Sequence, residues 1–399
     1  MKWSVSSRIA SPRRSPLDRS ARPVRIVAFD YLRGFVTTLV VLHHSLLAYC
    51  QFGHFDRQHY LWSTAPIVDN AKWLGFDLIV MFNDGYFMPL MFLLSGLFVW
   101  PSLARKGSAI YCRDRLLRLG LPFAVAVTTV MPLAYYPSFR MTGADSGFGA
   151  FWVRTVFGGP WPAGPAWFLA VLLAFDLAAA LIHSVAWRAN DTPDMPRPLV
   201  CFGLLIALSA LGYLPLLAFF GPTRWLSFGP FAVQASRIGL YAAYFFGGIF
   251  VGRHGFDFDP DGRLRQYWAH WSLLAVLLFV CFVAVQAARL VGWPALPPRA
   301  WLSLYGVNLV VFCAAANFAW LAIFPRFAGR VIGPWSSLAV NSYGIYILHY
   351  PAVIWTQYAL LDVRLYSIVK AALVFVVALL LSWGTTIVLR RMPGIARVI

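Results

Sequence analysis

The 399-residue chain is poor in charge: only 12% of its residues are Asp, Glu, Lys or Arg, against roughly a quarter in a soluble domain. Acidic residues are scarcer still, 15 against 33 Lys plus Arg, for a net charge of +18. No CxxC pair occurs, and Cys50, Cys112, Cys201, Cys281 and Cys313 lie far apart. That spacing excludes a thiol-based zinc or redox motif and leaves small apolar packing residues. No internal repeat and no low-complexity tract is visible. Residues 1–25 carry Lys2 and six arginines among Ser and Pro without an apolar core, which excludes a cleavable secretory signal. They read as a disordered basic arm beside anionic headgroups. The remaining arginines form no continuous basic face, so nucleic acid is not an expected partner.

What is abundant is apolar length. Hydrophobic residues make up 60% of the chain and mean hydropathy is +0.67. Runs near 20 residues, each able to cross a bilayer as a helix, fall at about 27–50, 78–100, 116–136, 165–187, 198–219, 234–252, 268–291, 302–324, 337–358 and 367–390. Gly247, Gly248 and Gly252 shorten the sixth. The expectation is an all-α polytopic membrane protein, about ten transmembrane helices in one bundle over 26–399. With the N-terminus inside, Lys and Arg number 7 in the arm, then 5, 2, 3 and 2 in the inner loops and 3 at the C-terminus, 22 in all, against 9 outside. Both termini are therefore expected in the cytoplasm. The connection from about Pro137 to Gly164, rich in Gly, Pro and aromatics, reads as a structured flap or re-entrant loop. The inner loop RHGFDFDPDGRLRQ lacks the downstream Glu of a calcium loop, and no metal site is expected there or elsewhere.

Ionisable groups inside a bilayer are costly and mark function. The first run, FDYLRGFVTTLVVLHH, holds Asp30, Arg33, His43 and His44. Arg33 and His44 are 11 residues apart, about 1100° of helical rotation and about 16 Å of rise, so they share one face within about 20°. His43 is turned about 100° away, so the two rings cannot enter one narrow groove. A charged group and a titratable base stacked on one face of a membrane helix mark a candidate functional site.

RDRLLRLGLPF places Arg115 and Arg118 three residues apart, on one face at the inner mouth of the third span. Guanidinium groups there match phosphate oxygens, although positive-inside anchoring alone also explains basic residues at that position. SSLAVNSYGIYILHYP crowds Asn341, Ser342, Tyr343, Tyr346 and His349 into the ninth span, with Tyr346 and His349 one turn apart and Pro351 able to open the helix. FMPLMFLLSGLFVW embeds Ser95 and Gly96 in apolar bulk, a pair that permits close helix approach. WFLAVLLAFD brings Trp167 and a mid-span acid, Asp176, which could pair with an arginine of another helix.

In this order the segments resemble the acyltransferase family 3 membrane proteins, over about 25–390. Arg33 and His44 match that family's arginine–x10–histidine motif, FLLSG its Phe-x-x-Ser-Gly element, and Arg115 and Arg118 its arginine pair. GPAWFL and SYGIYILHYP match its fourth- and ninth-span signatures. Within the family, the fully membrane-embedded form resembles the glucan succinyltransferases. The resemblance implies an acyltransferase of the bacterial-type inner membrane with acyl-CoA as co-substrate and no other cofactor, acting on a hydroxyl of an extracytoplasmic glycan or similar acceptor. It makes His44 the catalytic base or acyl relay, with Arg33 on the donor side. Arg115 and Arg118 are expected to bind the donor, and Asp30, Ser95, Trp167, Tyr346 and His349 to line the cavity or acceptor end. The competing expectation is a transporter or flippase that uses the buried charges as a relay.

Overall fold

The computed structural model describes residues 16–398 apart from 186–194, 256–258, 260, 294 and 329–331. In chain order the helices are α1 (Pro16–Leu47), α2 (Leu74–Asp84), α3 (Phe87–Gly96), α4 (Val99–Lys106), α5 (Ser108–Arg115), α6 (Leu121–Val125), α7 (Met131–Met141), α8 (Phe148–Val153), α9 (Trp167–Val185) and α10 (Pro198–Phe220). After the hairpin of β1 (Trp225–Phe228) and β2 (Phe231–Gln234) come α11 (Ile238–Arg253), α12 (Arg263–Gln266), α13 (Trp268–Val291), α14 (Pro298–Phe327), α15 (Gly333–Ala359) and α16 (Ser367–Leu389). The protein is an all-α polytopic membrane protein. Among the described residues helix occupies each of the ten apolar stretches, and seven helical segments are long and apolar enough to cross a membrane by length and composition. The other three are α1, α11 and α15. α1 and α15 carry the polar residues of the first and ninth runs, and α11 has only 16 residues. α1 starts at Pro16, so residues 16–25 of the expected disordered arm are helical, while residues 1–15 lie outside the described residues.

The third span shows how prolines shape the bundle. α5, α6 and α7 form one long segment, Ser108–Met141, interrupted by two wider π-type turns at Leu116–Gly120 and Ala126–Val130. Each turn ends just before a proline, Pro122 or Pro132, which has no N–H to give the carbonyl four residues back. The carbonyls so released are those of Arg118 and Thr128, and Pro137 releases that of Leu133. All three are taken by other elements: Tyr343 Oη donates to Arg118 O, Trp152 Nε1 to Thr128 O (2.7 Å), and Trp355 Nε1 to Leu133 O (2.9 Å). Two of those donors lie on α15 and one on α8, so the missing helical bonds tie the third span to its neighbours. Unpaired carbonyls are expensive where no water reaches them.

Glycine sets the closest contact. A Cβ on Gly96 would stand 2.1 Å from Phe245 O, one on Gly248 2.2 Å from Leu93 O, and one on Gly252 2.1 Å from Leu97 O. The backbones of α3 and α11 therefore touch, the arrangement small residues permit in membranes. Two of the three glycines that thin the apolar run of the sixth span, Gly248 and Gly252, seat it on α3, while Gly247 turns to Leu205 of α10. α1 lies along α15, α15 along α16, and α13 along α14.

The expected flap is structured: Phe148 and Phe151 of α8 pack on Tyr136 and Phe139 of α7. It returns to the bundle at Gly164, whose φ of +44° and neighbours Met131 and Tyr350 leave no room for a side chain. In the inner loop the Asp259 carboxylate accepts from Leu264 N (2.8 Å) and Arg265 N (3.1 Å) and so caps α12.

Candidate active site

The last turn of α1 holds the site in register. α1 ends at Leu47, so the carbonyls of 44–47 lack in-helix donors. Gln357 of α15 donates through Nε2 to His44 O (3.0 Å) and to Ser45 O (3.3 Å). Tyr49 N and Cys50 N take Leu46 O and Leu47 O. At the other end of the shared stripe, Gly34 lies against the Ala339 backbone. Two fastenings, one per end, fix the rotation of α1 on α15.

That rotation sends His44 onto α15. Its ring centroid lies 5.3 Å from that of His349, with planes 30° apart, and 5.0 Å from Tyr350, edge-on. His43 lies 5.4 Å from His44 at 88° and packs instead on Phe87 at 5.0 Å. The two neighbours thus serve different sides of α1, as helical phase requires.

His349 Nδ1 is 2.7 Å from Tyr346 O. A carbonyl oxygen only accepts, so Nδ1 carries the proton and Nε2 holds a lone pair. That Nε2 is buried without a hydrogen-bond partner, and so is His44 Nδ1. Two imidazoles sit side by side in the bundle interior with ring nitrogens that no described group satisfies. Buried polar atoms left open in this way call for a water or a ligand. The tyrosines around them are committed: Tyr346 Oη donates to Pro165 O (2.6 Å), and Tyr135 and Tyr350 approach at 3.5 Å.

Other expected site residues fall elsewhere. Arg33 pairs with Asp30 one turn before it and lies 5.9 Å from the Phe98 ring. Its side chain stays 41% exposed. Arg115 does not stand beside Arg118 as a free pair. Its Nε lies 3.4 Å from Asp176 Oδ2, its guanidinium lies 4.9 Å from the Tyr111 ring, and Tyr111 Oη donates to Asp176 Oδ1 at 2.5 Å. The mid-span acid of α9 has thus found its arginine, whereas Arg118 is exposed. Ser95 donates to its own helix at Met91 O (2.8 Å), beside the Gly96 contact. Trp167 stacks on Tyr241 at 5.4 Å and meets Trp225 edge-on at 5.9 Å.

Three groups escaped the motif reading. Gln357 reaches His44 from two turns beyond the ninth-span motif. Arg237, at the foot of the hairpin, joins Asp84 through Nη2 to the carboxylate (2.5 Å) and Nη1 to the backbone carbonyl (2.9 Å). Lys370 binds Asp69 at 2.6 Å, tying α16 to the loop over 48–73. Asp84 in the second apolar run and Lys370 in the tenth were visible signals of the pairs, since lone charges there need partners.

A family model described as an acyltransferase domain matches residues 26–387, nearly the whole chain, and the chain belongs to that family. It is a multi-pass membrane acyltransferase of groups other than amino-acyl groups. No curated protein and no solved structure matches the chain.

Proposed function

We propose that the protein is an O-acyltransferase that moves an acyl group from cytoplasmic acyl-CoA to a hydroxyl of an extracytoplasmic glycan, with glucan as the favoured acceptor, across a bacterial-type inner membrane with both termini in the cytoplasm. The observation that carries this reading is the His44–His349 pair with its unpartnered ring nitrogens, about 16 Å along α1 from Arg33.

Acceptor oxygen attacks the thioester carbonyl carbon, the carbon–sulfur bond breaks, and the hydroxyl proton passes to a His44 ring nitrogen. That proton then goes to the departing thiolate sulfur, giving the ester and free coenzyme A. A positioned base of this kind contributes about 10²–10⁴-fold. His349 holds its proton on Nδ1, so its Nε2 can only accept, which suits it to hold a neighbouring hydroxyl of the acceptor while the attacking hydroxyl donates to His44. In a direct transfer His44 stays a base, and in a relay it carries the acyl group itself. Arg33 and Arg118, neither fully buried, supply cations for the donor phosphates. Arg115 contributes there only with what Asp176 leaves it.

Purified protein incubated with a labelled acyl-CoA series and glucose oligomers tests the reading. Acyl transfer by the wild type and its loss in His44→Ala are the expected results. Equal activity in a correctly folded His44→Ala protein would remove His44 from the mechanism. Transport of substrate without acyl transfer would favour the relay-type transporter.

A further inference from the structure

The Arg237–Asp84 pair has the geometry of a site rather than of a staple. Arg237 is buried, its side chain 5% exposed, and its two terminal nitrogens hold Asp84. Its Nε has no hydrogen-bond partner. Asp84 faces open space with 45% of its side-chain surface, although Asn83 and Tyr86 on either side of the helix break are buried. A purely structural pair would be closed over on both members, since an ion pair in low dielectric holds best when fully satisfied. The neighbours repeat the pattern: Ser236 Oγ and Tyr213 Oη are buried and unpartnered, and Tyr213 and Tyr241 are among the groups acting on the Arg237 charge.

This compartment adjoins the histidines. Asp84 and Arg237 are the charges that bear on His43, whose ring is the edge-on neighbour of His44. On its other side Tyr241 stacks under Trp167, and Trp167 meets the exposed Trp225 of the hairpin. An aromatic row, Trp225 edge-on to Trp167 and Trp167 stacked on Tyr241, therefore leads from the hairpin towards the Asp84–Arg237 pair, whose exposed carboxylate has spare acceptor capacity one ring away from the proposed base.

We infer that Asp84, held by Arg237, and the exposed Trp225 at the end of the aromatic row form the subsite that binds a polyhydroxylated acceptor and delivers its hydroxyl towards His44. Sugar rings offer an apolar face for stacking and vicinal hydroxyls that both donate and accept. The exposed Asp84 carboxylate, held in place by Arg237, takes the donated hydrogens, and the exposed Trp225 indole covers the apolar face. The inference rests on the acyltransfer reading and names the acceptor side of the same site.

The test uses the full-length protein in detergent or nanodiscs, with the acyl-CoA that the wild type uses and short glucose oligomers as acceptor. Asp84→Asn keeps the shape but removes the charge opposite buried Arg237, so a lower unfolding temperature is expected from it as well, whereas Trp225→Ala alters only the exposed end of the aromatic row. Both are expected to raise the acceptor KM about tenfold or more while the acyl-CoA KM moves less than about twofold. The proposal is overturned if the acceptor KM is unchanged. It is equally overturned if both KM values rise together with a lowered unfolding temperature, the signature of a structural staple. Should the wild type transfer no acyl group, the acyltransfer reading fails by itself. Calorimetric titration of the glucose oligomers then decides the subsite: weaker binding to Asp84→Asn supports it, and equal binding overturns it.

Discussion

His43 and His44 differ by one step in the chain and by a whole environment in the bundle. His44 meets His349 and Tyr350 on α15, while His43 rests on Phe87 beside the Asp84–Arg237 pair. A reacting group must touch both substrates; both rings have an unpartnered Nδ1, but His44 is the one turned to His349 and Tyr350 of α15. His44→Ala is expected to lower acyl transfer by about 10²–10⁴-fold with an unchanged unfolding temperature, read by activity and thermal scan on one preparation. Arg115 carries the opposite expectation. Removing it strands the buried Asp176 carboxylate, a loss of about 3–5 kcal/mol when one partner of a buried pair is deleted. Arg115→Ala should therefore lower the unfolding temperature, and Arg115→Leu combined with Asp176→Leu should recover much of it. Arg118→Ala, exposed and outside that pair, is the cleaner probe of donor binding. It should raise the acyl-CoA KM without loss of stability.

At the scale of elements, proline and glycine decide how helices meet. Trp355 and Trp152 replace the helical donors that Pro137 and Pro132 cannot provide. Trp355→Phe keeps the aromatic bulk and deletes one hydrogen bond to a carbonyl, worth about 1 kcal/mol. A small fall in unfolding temperature is the expected reading. The α3–α11 contact is far less forgiving. Gly248→Leu drives a side chain into Leu93 O, and overpacking of this kind costs about 1–3 kcal/mol or more. Gly203→Leu, on α10 with open space around it, is the matched control and should leave stability unchanged. Equal effects in the two variants would mean that the close approach is not what holds α11.

For the whole molecule, the charge count and the bundle make one joint prediction. Single cysteines placed in the loop over 253–267 should resist a membrane-impermeant thiol reagent applied from outside. Those placed at 226–228 in the hairpin should react. The reverse pattern would invert the orientation and with it the donor side. Much of this scale was legible in the sequence: the all-α polytopic class follows from apolar runs near 20 residues, each of which coincides with helix among the described residues, because a bilayer fixes both their length and their composition. Seven meet the membrane-spanning criteria of length and apolarity, and the shortfall is informative. The polar groups of α1 and α15 serve the site, and Gly248 and Gly252 within the 16-residue α11 serve the packing.

What the sequence alone determined was local: where helices lie, that Arg33 and His44 share a face, and that His43 does not. Those follow from a rise and a rotation per residue, which each segment carries by itself. The family, too, was legible, because its motifs are short and ordered along the chain. Pairing was not. Which arginine would neutralise Asp176, that Arg237 would cross to Asp84, and that Gln357 would hold the end of α1 depend on residues 60 to more than 300 positions apart. Only the packed bundle sets those distances. The same packing turned an aligned arginine and histidine into a pair of imidazoles facing one another, and that contact belongs to no single helix.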